Sequence, residues 1–293
     1  MILGALRPTN TWDFPTYWAL AGIAVIAAAW LRRDDTREKR SLANLYALGE
    51  IVLVALILFG LAQFLYQPYH QWYRLGYDKP ALWKGSQTQL NDYLVVHGFF
   101  LFLILSWMLW EVRQWMARTP LVALNRLCKP LIIIILSILF SLAGVVLLTY
   151  SGMQIATLSF FVLSMAGVLF LWAGLPVEKR AVLFMIGTGT ALTILVELVV
   201  LEGDISRMNT VFKFYLQVWT LFSLSAVAGF AWILGDFSQW TRNWRMGWIM
   251  VVIGLTLMAS LYPLTASPAK ITDRIAEEAP HSLDGMTYMP YST

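Results

Sequence analysis

Long apolar runs separated by short charged stretches set the pattern of this chain. A helix that crosses a bilayer needs about 20 mostly apolar residues. Eight segments have that character: Pro15–Leu31, Ala43–Leu65, Tyr93–Val112, Pro130–Tyr150, Gln154–Ala173, Ala181–Leu201, Asn209–Leu234 and Met246–Leu264. The pattern predicts an all-α fold, a polytopic transmembrane helical bundle with about eight spans. The bundle occupies residues 1–264, and 265–293 are expected to form an irregular extracytoplasmic tail, because Pro263, Pro268, Pro280 and Pro290 crowd that end. One long connection, Tyr66 to Asn91, carries Tyr66, Tyr69, Trp72, Tyr73, Tyr77 and Trp83, a mixture suited to lying in a membrane interface. No repeat is visible.

Composition agrees. Hydrophobic residues make up 59% of the 293 and charged residues 13%, about half the charged share of soluble domains, which is roughly 25%. That excludes a soluble globular protein. The 14 tryptophans suit aromatic belts at two interfaces. A net charge of +4 reads as loop bias rather than as a nucleic-acid surface, and no nucleic-acid partner is expected. The single cysteine, Cys128, excludes a disulfide within the chain, and the start lacks the basic and apolar regions of a signal peptide.

Lys and Arg counts orient the spans. Thirteen fall on the side of the loops holding Arg32–Arg40, Arg113–Lys129, Lys179–Arg180 and Arg242–Arg245, and eight on the other. The richer side is expected to be cytoplasmic, giving a multi-pass cell-membrane protein with both termini extracytoplasmic. Glu50 and Glu111 then lie toward the cytoplasmic ends, where loop arginines are their expected partners.

The unusual polar segments collect on the outer side. They are Asn10-Thr-Trp12-Asp13, the aromatic loop, Glu202-Gly-Asp204-Ile-Ser-Arg207-Met-Asn209, and Leu283-Asp284-Gly285-Met286. Thr190, Thr193 and Glu197 share one helical face, and Asn209, Lys213, Gln217, Thr220 and Ser223 form a second stripe. An ionisable Glu197 inside lipid must face the bundle or a wet cavity. Asp204 or Ser206 suits the cap of the following helix. That helix N-terminus, with Arg207 and Lys213 close by, is a candidate phosphate site. The bland readings are helix-gluing stripes, a structural Glu197–Lys213 pair, Asp13 as a helix cap, and His97 as a packed, hydrogen-bonded core histidine. Three scattered histidines and one cysteine give no metal-ligand spacing; oxygen ligands from Asp13, Glu202 and Asp204 leave a divalent metal open.

Four stretches resemble the YYY membrane protein family: Asn10-Thr-Trp-Asp-Phe-Pro-Thr-Tyr17, Tyr93-Leu-Val-Val-His-Gly-Phe-Phe100, Asp204 to Trp219 with its Arg-Met-Asn-Thr-Val-Phe-Lys-Phe-Tyr core, and Leu283-Asp-Gly-Met286. The resemblance implies a multi-spanning glycosyltransferase-like protein handling a polyprenyl-phosphate-linked sugar at the extracytoplasmic face. It implies catalytic roles for Asp13, Asp204 and Glu202, and substrate or phosphate binding by Arg207, Asn209, Lys213, Gln217, Trp12 and His97. Membrane lipid and a polyprenyl-phosphate donor are the implied partners. The family's Tyr-Tyr-Tyr-x-Gly motif is absent from this chain, which resembles the C-terminal membrane half of longer members; an upstream membrane half is therefore also an implied partner, with 265–293 the start of a truncated region. A transporter or channel using Glu197, Lys213 and Gln217, and a non-catalytic scaffold subunit, are the alternatives.

Overall fold

The computed structural model describes residues 1–32, 40–72, 79–118, 128–172, 174–274, 280 and 282–291, with side chains described there except at 27–48, 128–138, 285 and 288. Its helices are α1 (Ile2–Thr9), α2 (Asp13–Arg32), α3 (Arg40–Phe64), α4 (Gln67–Trp72), α5 (Leu90–Arg118), α6 (Cys128–Tyr150), α7 (Gln154–Phe170), α8 (Val177–Leu198), α9 (Met208–Gly235), α10 (Arg242–Arg274) and α11 (Gly285–Tyr288). Each expected apolar segment falls on one of the long helices. Four of them, α5, α8, α9 and α10, are long and apolar enough over their described residues to cross a membrane. In α2, α3, α6 and α7 the described apolar stretches are shorter.

The packed core lies where α5, α7, α8 and α9 meet. Ile104, Trp107, Met108, Ile155, Ile186, Phe222 and Ile233 are almost wholly enclosed there. Small residues let the backbones close up, as helices must when no hydrophobic effect separates them from lipid. A Cβ at Gly229 of α9 would stand 2.9 Å from the Cβ of Trp107 on α5, and one at Gly189 of α8 would stand 2.6 Å from the Phe222 ring on α9. Helices α1, α2 and α3 pack on one another, with α2 reaching α9; α10 touches the bundle through α5.

Two departures from the expected all-α bundle with an irregular tail matter. The first is a short antiparallel pair, β1 (Pro80–Leu82) and β2 (Val199–Leu201), in the register Pro80↔Leu201, Ala81↔Val200 and Leu82↔Val199. The helix ends at Leu198 because β-branched Val199 and Val200 take extended backbone, which the loop then pairs with. Glu202 N–H to the Lys79 carbonyl (2.8 Å) and Trp83 N–H to that of Leu198 (2.9 Å) lengthen the ladder. The aromatic connection is thus tied to the α8–α9 link. The second departure is that α10 continues to Arg274 through Pro263 and Pro268, so the first ten residues of the expected irregular tail are helical. A proline forfeits one backbone bond, a loss that apolar helices accommodate. Beyond it, Asp284 caps α11, accepting from the Met286 amide at 3.0 Å.

Candidate functional site

The first turns of α2, α5 and α9 and the last turn of α8 meet at one end of the bundle. Glu197, in the last turn of α8, is 2% exposed. Its carboxylate accepts from the Thr88 hydroxyl at 2.7 Å, the Thr88 amide at 3.2 Å and the Arg207 guanidinium at 3.1 Å. Arg207, just before α9, also donates to the Thr88 hydroxyl and to the Val196 carbonyl (3.1 Å), and lies 5.2 Å from the Trp83 ring centre. The buried partner of Glu197 is therefore Arg207, not the expected Lys213. The reason is the extended Val199–Leu201 segment and the turn at Gly203 (φ 88°), which fold Arg207 back over the end of α8.

Asp204 caps α9 as expected. Its carboxylate accepts from the Asn209 amide (3.1 Å), the Thr210 amide (2.9 Å) and the Thr210 hydroxyl (2.8 Å). Desolvation works to raise its pKa, but these bonds to Thr210 and Asn209 outweigh it and hold the group below its ordinary 3.8. This corrects the phosphate reading at two points. The α9 N-terminal amides already hold the protein's own carboxylate, and the Arg207 guanidinium is turned inward. Glu202 is exposed, its amide spent on the ladder to Lys79.

A second constellation lies where α2 meets α9. The Asp13 carboxylate accepts from the Gln217 side-chain amide at 2.8 Å and from that of Asn10 at 3.1 Å. The same Gln217 nitrogen reaches the Trp12 carbonyl at 3.2 Å. Gln217 is 2% exposed and its side-chain oxygen has no partner among the described residues. Lys213, one turn earlier on α9 and half-buried, places its charge in the field of Asp13. The Trp12 ring stands against Phe214 at 6.4 Å. Asn10 and Asp13 meet because they bracket the turn into α2, where the Asp13 amide donates to the Asn10 carbonyl (2.9 Å).

His97 is packed, as expected, but lacks the expected hydrogen bonds. Its ring is wholly enclosed, 4.8 Å from Tyr93, 5.3 Å from Tyr215 and 5.8 Å from Phe222, and neither nitrogen has a partner among the described residues. Burial keeps it from any substrate unless the helices part. Tyr93 meets Thr193 across the helices, oxygen to oxygen at 3.3 Å. Thr88, Trp83 and Tyr215, which complete this end, carry no periodic signal in the sequence; Thr88 sits in a polar loop and became visible only through the partners it bridges.

Among the described residues no three His, Cys, Asp or Glu side chains gather as metal ligands would. Asp13, Glu202 and Asp204, which left an oxygen-ligand group open, do not gather into one: Asp204 is drawn into its helix cap and Asp13 into the Gln217 contact. At the opposite end of the bundle Glu111 pairs with Lys179, where an arginine was expected, and accepts from the Trp107 indole at 3.1 Å.

No curated protein and no solved structure matches the chain. The model of a family described as uncharacterized membrane protein (DUF2298) matches residues 1–222, a stretch that takes in Asp13, Thr88, Glu197, Arg207, Lys213 and Gln217 and stops inside α9. This helical membrane protein belongs to that family.

Proposed function

We propose that the protein is a glycosyltransferase-like membrane enzyme that handles a polyprenyl-phosphate-linked sugar where Asp13, Gln217 and Lys213 meet. In this reading all eight long helices cross the bilayer, both termini are extracytoplasmic, and the site opens on the outer face. The observation that carries it is the Asp13–Gln217 contact. A carboxylate from the start of α2 is held at 2.8 Å by a buried amide 204 residues away, beside a lysine with no ion pair among the described residues. A carboxylate fixed in that way is suited to take the proton of an acceptor hydroxyl. Lys213 is suited to the donor phosphate, since an ammonium binds phosphate as a point charge. The likeness of the Asn10–Tyr17 and Asp204–Trp219 stretches to the YYY family supports the same reading. Among the described residues, no three His, Cys, Asp or Glu side chains gather here as metal ligands would.

Transfer of labelled sugar from a polyprenyl-phosphate donor, measured with the full chain in its membrane together with any upstream half, tests this. Asp13→Asn should lower turnover at least about a hundredfold. Lys213→Met should raise the KM for donor, and Asp204→Asn, which keeps a capping oxygen, should stay near wild type. Undiminished transfer by Asp13→Asn removes the site assignment. A wild type that transfers from no such donor removes the activity.

A further inference from the structure

At the opposite end of the bundle a cleft of about 800 Å³ opens between α5, α10 and the link that joins α9 to α10. We propose that it binds an anionic membrane phospholipid, acyl chain between α5 and α10 and phosphate at Arg113. The volume lies within the range of ordinary ligand clefts, about 300–1,000 Å³. The walls are aromatic and aliphatic, with Phe102, Trp110, Trp240, Trp244 and Trp248 the large contributors. Such walls suit a hydrocarbon chain, and α5 and α10 are both apolar enough to face lipid.

The polar groups in the lining define one charged rim. Arg113 is exposed, lies 4.7 Å from the Trp110 ring centre, and has no ion pair among the described residues. The acids nearby are committed: Asp236 accepts from the Trp110 indole (2.6 Å) and the Gln239 amide (3.0 Å), and Glu111 is paired with Lys179. Ser106 is spent on the Trp248 indole (3.0 Å). The indole N–H of Trp240, whose ring lines the cleft, is enclosed and without a partner among the described residues. A buried donor left unmade is costly. Arg242 and Arg245 flank the lining residues Thr241 and Trp244 in sequence and add positive charge to this end. Apolar walls with cations at one rim complement a ligand with one anionic end, the chemistry by which basic clefts between membrane helices take acidic head groups. The cleft lies at the opposite end of the bundle from Asp13; its α5 wall and Arg113 fall within the residues the family model matches, and Trp240, Trp244 and Trp248 lie beyond them.

Native mass spectrometry of the whole chain in mild detergent, titrated with phosphatidylglycerol or with phosphatidylcholine of the same acyl chains, tests this. One equivalent of phosphatidylglycerol should be retained more tightly. Arg113→Gln should weaken it about fivefold, the effect of one cation near a phosphate, and leave phosphatidylcholine unchanged. Gly247→Leu should weaken both: Gly247 lines the cleft, and nothing stands within 4 Å of an added Cβ, so the substitution adds bulk where the fold leaves room for its first carbon. Equal binding of the two lipids, or binding unmoved by both substitutions, overturns the proposal. So does a dimer that Gly247→Leu dissociates, which would make the cleft an interface between two copies.

Discussion

Arg207→Met is the substitution that most directly separates a structural cation from a ligand-binding one. In the fold, the guanidinium neutralises Glu197, holds the Thr88 hydroxyl and reaches the Val196 carbonyl. Glu197 is 2% exposed, so methionine leaves a buried carboxylate whose charge is uncompensated, although both Thr88 bonds survive. Removing one partner of such a pair costs about 3–5 kcal/mol, and the surviving bonds put this case near 3. At roughly 2 °C per kcal/mol for a chain of this length, the melting temperature in detergent should fall by about 6 °C. Glu197→Gln leaves the buried Arg207 guanidinium without its counter-charge, but keeps an oxygen to accept from it and leaves its bonds to Thr88 and Val196, so it should cost less. The double variant should cost less than the sum of the singles, by about 2 kcal/mol or more. Thermal unfolding followed by tryptophan emission, all four proteins in one detergent, measures the cycle. A melting temperature within about 1 °C of wild type for Arg207→Met, or strict additivity in the double variant, refutes the strut; a cation held for a ligand could even stabilise the empty protein when removed.

Asp204→Ala should cost about 1 kcal/mol as a lost helix cap. Because folding lowers the Asp204 pKa below 3.8, its contribution is complete above that value and is lost as pH falls through the folded pKa; the gap in melting temperature between wild type and Asp204→Ala should therefore be constant near neutrality and close below pH 3.8. Gly229→Ala should destabilise by about 1–3 kcal/mol, since the new Cβ meets the Cβ of fully enclosed Trp107, which cannot swing away. Gly254→Ala, with nothing within 4 Å, is the control and should leave the melting temperature equal or higher. His97→Leu, close in volume, removes two polar atoms that have no partner among the described residues; stability should hold or rise, and a loss above about 2 kcal/mol would reveal a hydrogen bond to His97.

The helices were legible because lipid demands long apolar segments, and a segment such as Asn209–Leu234 differs from α9 by a single residue at each end. The two short strands were not. Three-residue pairing depends on where residues 80 and 200 meet, and no local period records that. The α10 extension was not legible because Pro263 and Pro268 read locally as helix breakers, whereas a proline can also be carried within a helix as a kink that forfeits one backbone bond. At the site, the stripe spacing placed Lys213 and Gln217 on one face of α9, and the Asp204 cap followed from its position before that helix. Partner choice did not follow. Whether Glu197 takes Arg207 or Lys213 turns on the sharp link through Gly203, which reverses the chain within a few residues.

That partner choice narrows the chemistry of the proposed site. From sequence, Arg207, Lys213 and a bare helix N-terminus together resembled an anion cradle. In the fold, Arg207 and the N-terminal amides answer the protein's own acids, Glu197 and Asp204. Beside the Asp13–Gln217 contact, Lys213 is a cation with no ion pair among the described residues. An anion arriving there would meet one ammonium rather than a forked guanidinium, and its binding should be geometrically permissive, since lysine contributes charge without the bidentate geometry of arginine. Lys213→Arg should therefore retain donor binding if the phosphate is met as a point charge. Arg207→Lys should fail as a strut, because one ammonium on a flexible stem does not reproduce a guanidinium that joins Glu197, Thr88 and Val196 at once. Donor KM and melting temperature, measured for both variants, separate the two roles: the first substitution should move neither far, and the second should lower the melting temperature. A reversal of that pattern would return Arg207 to the anion site and make Lys213 the structural residue.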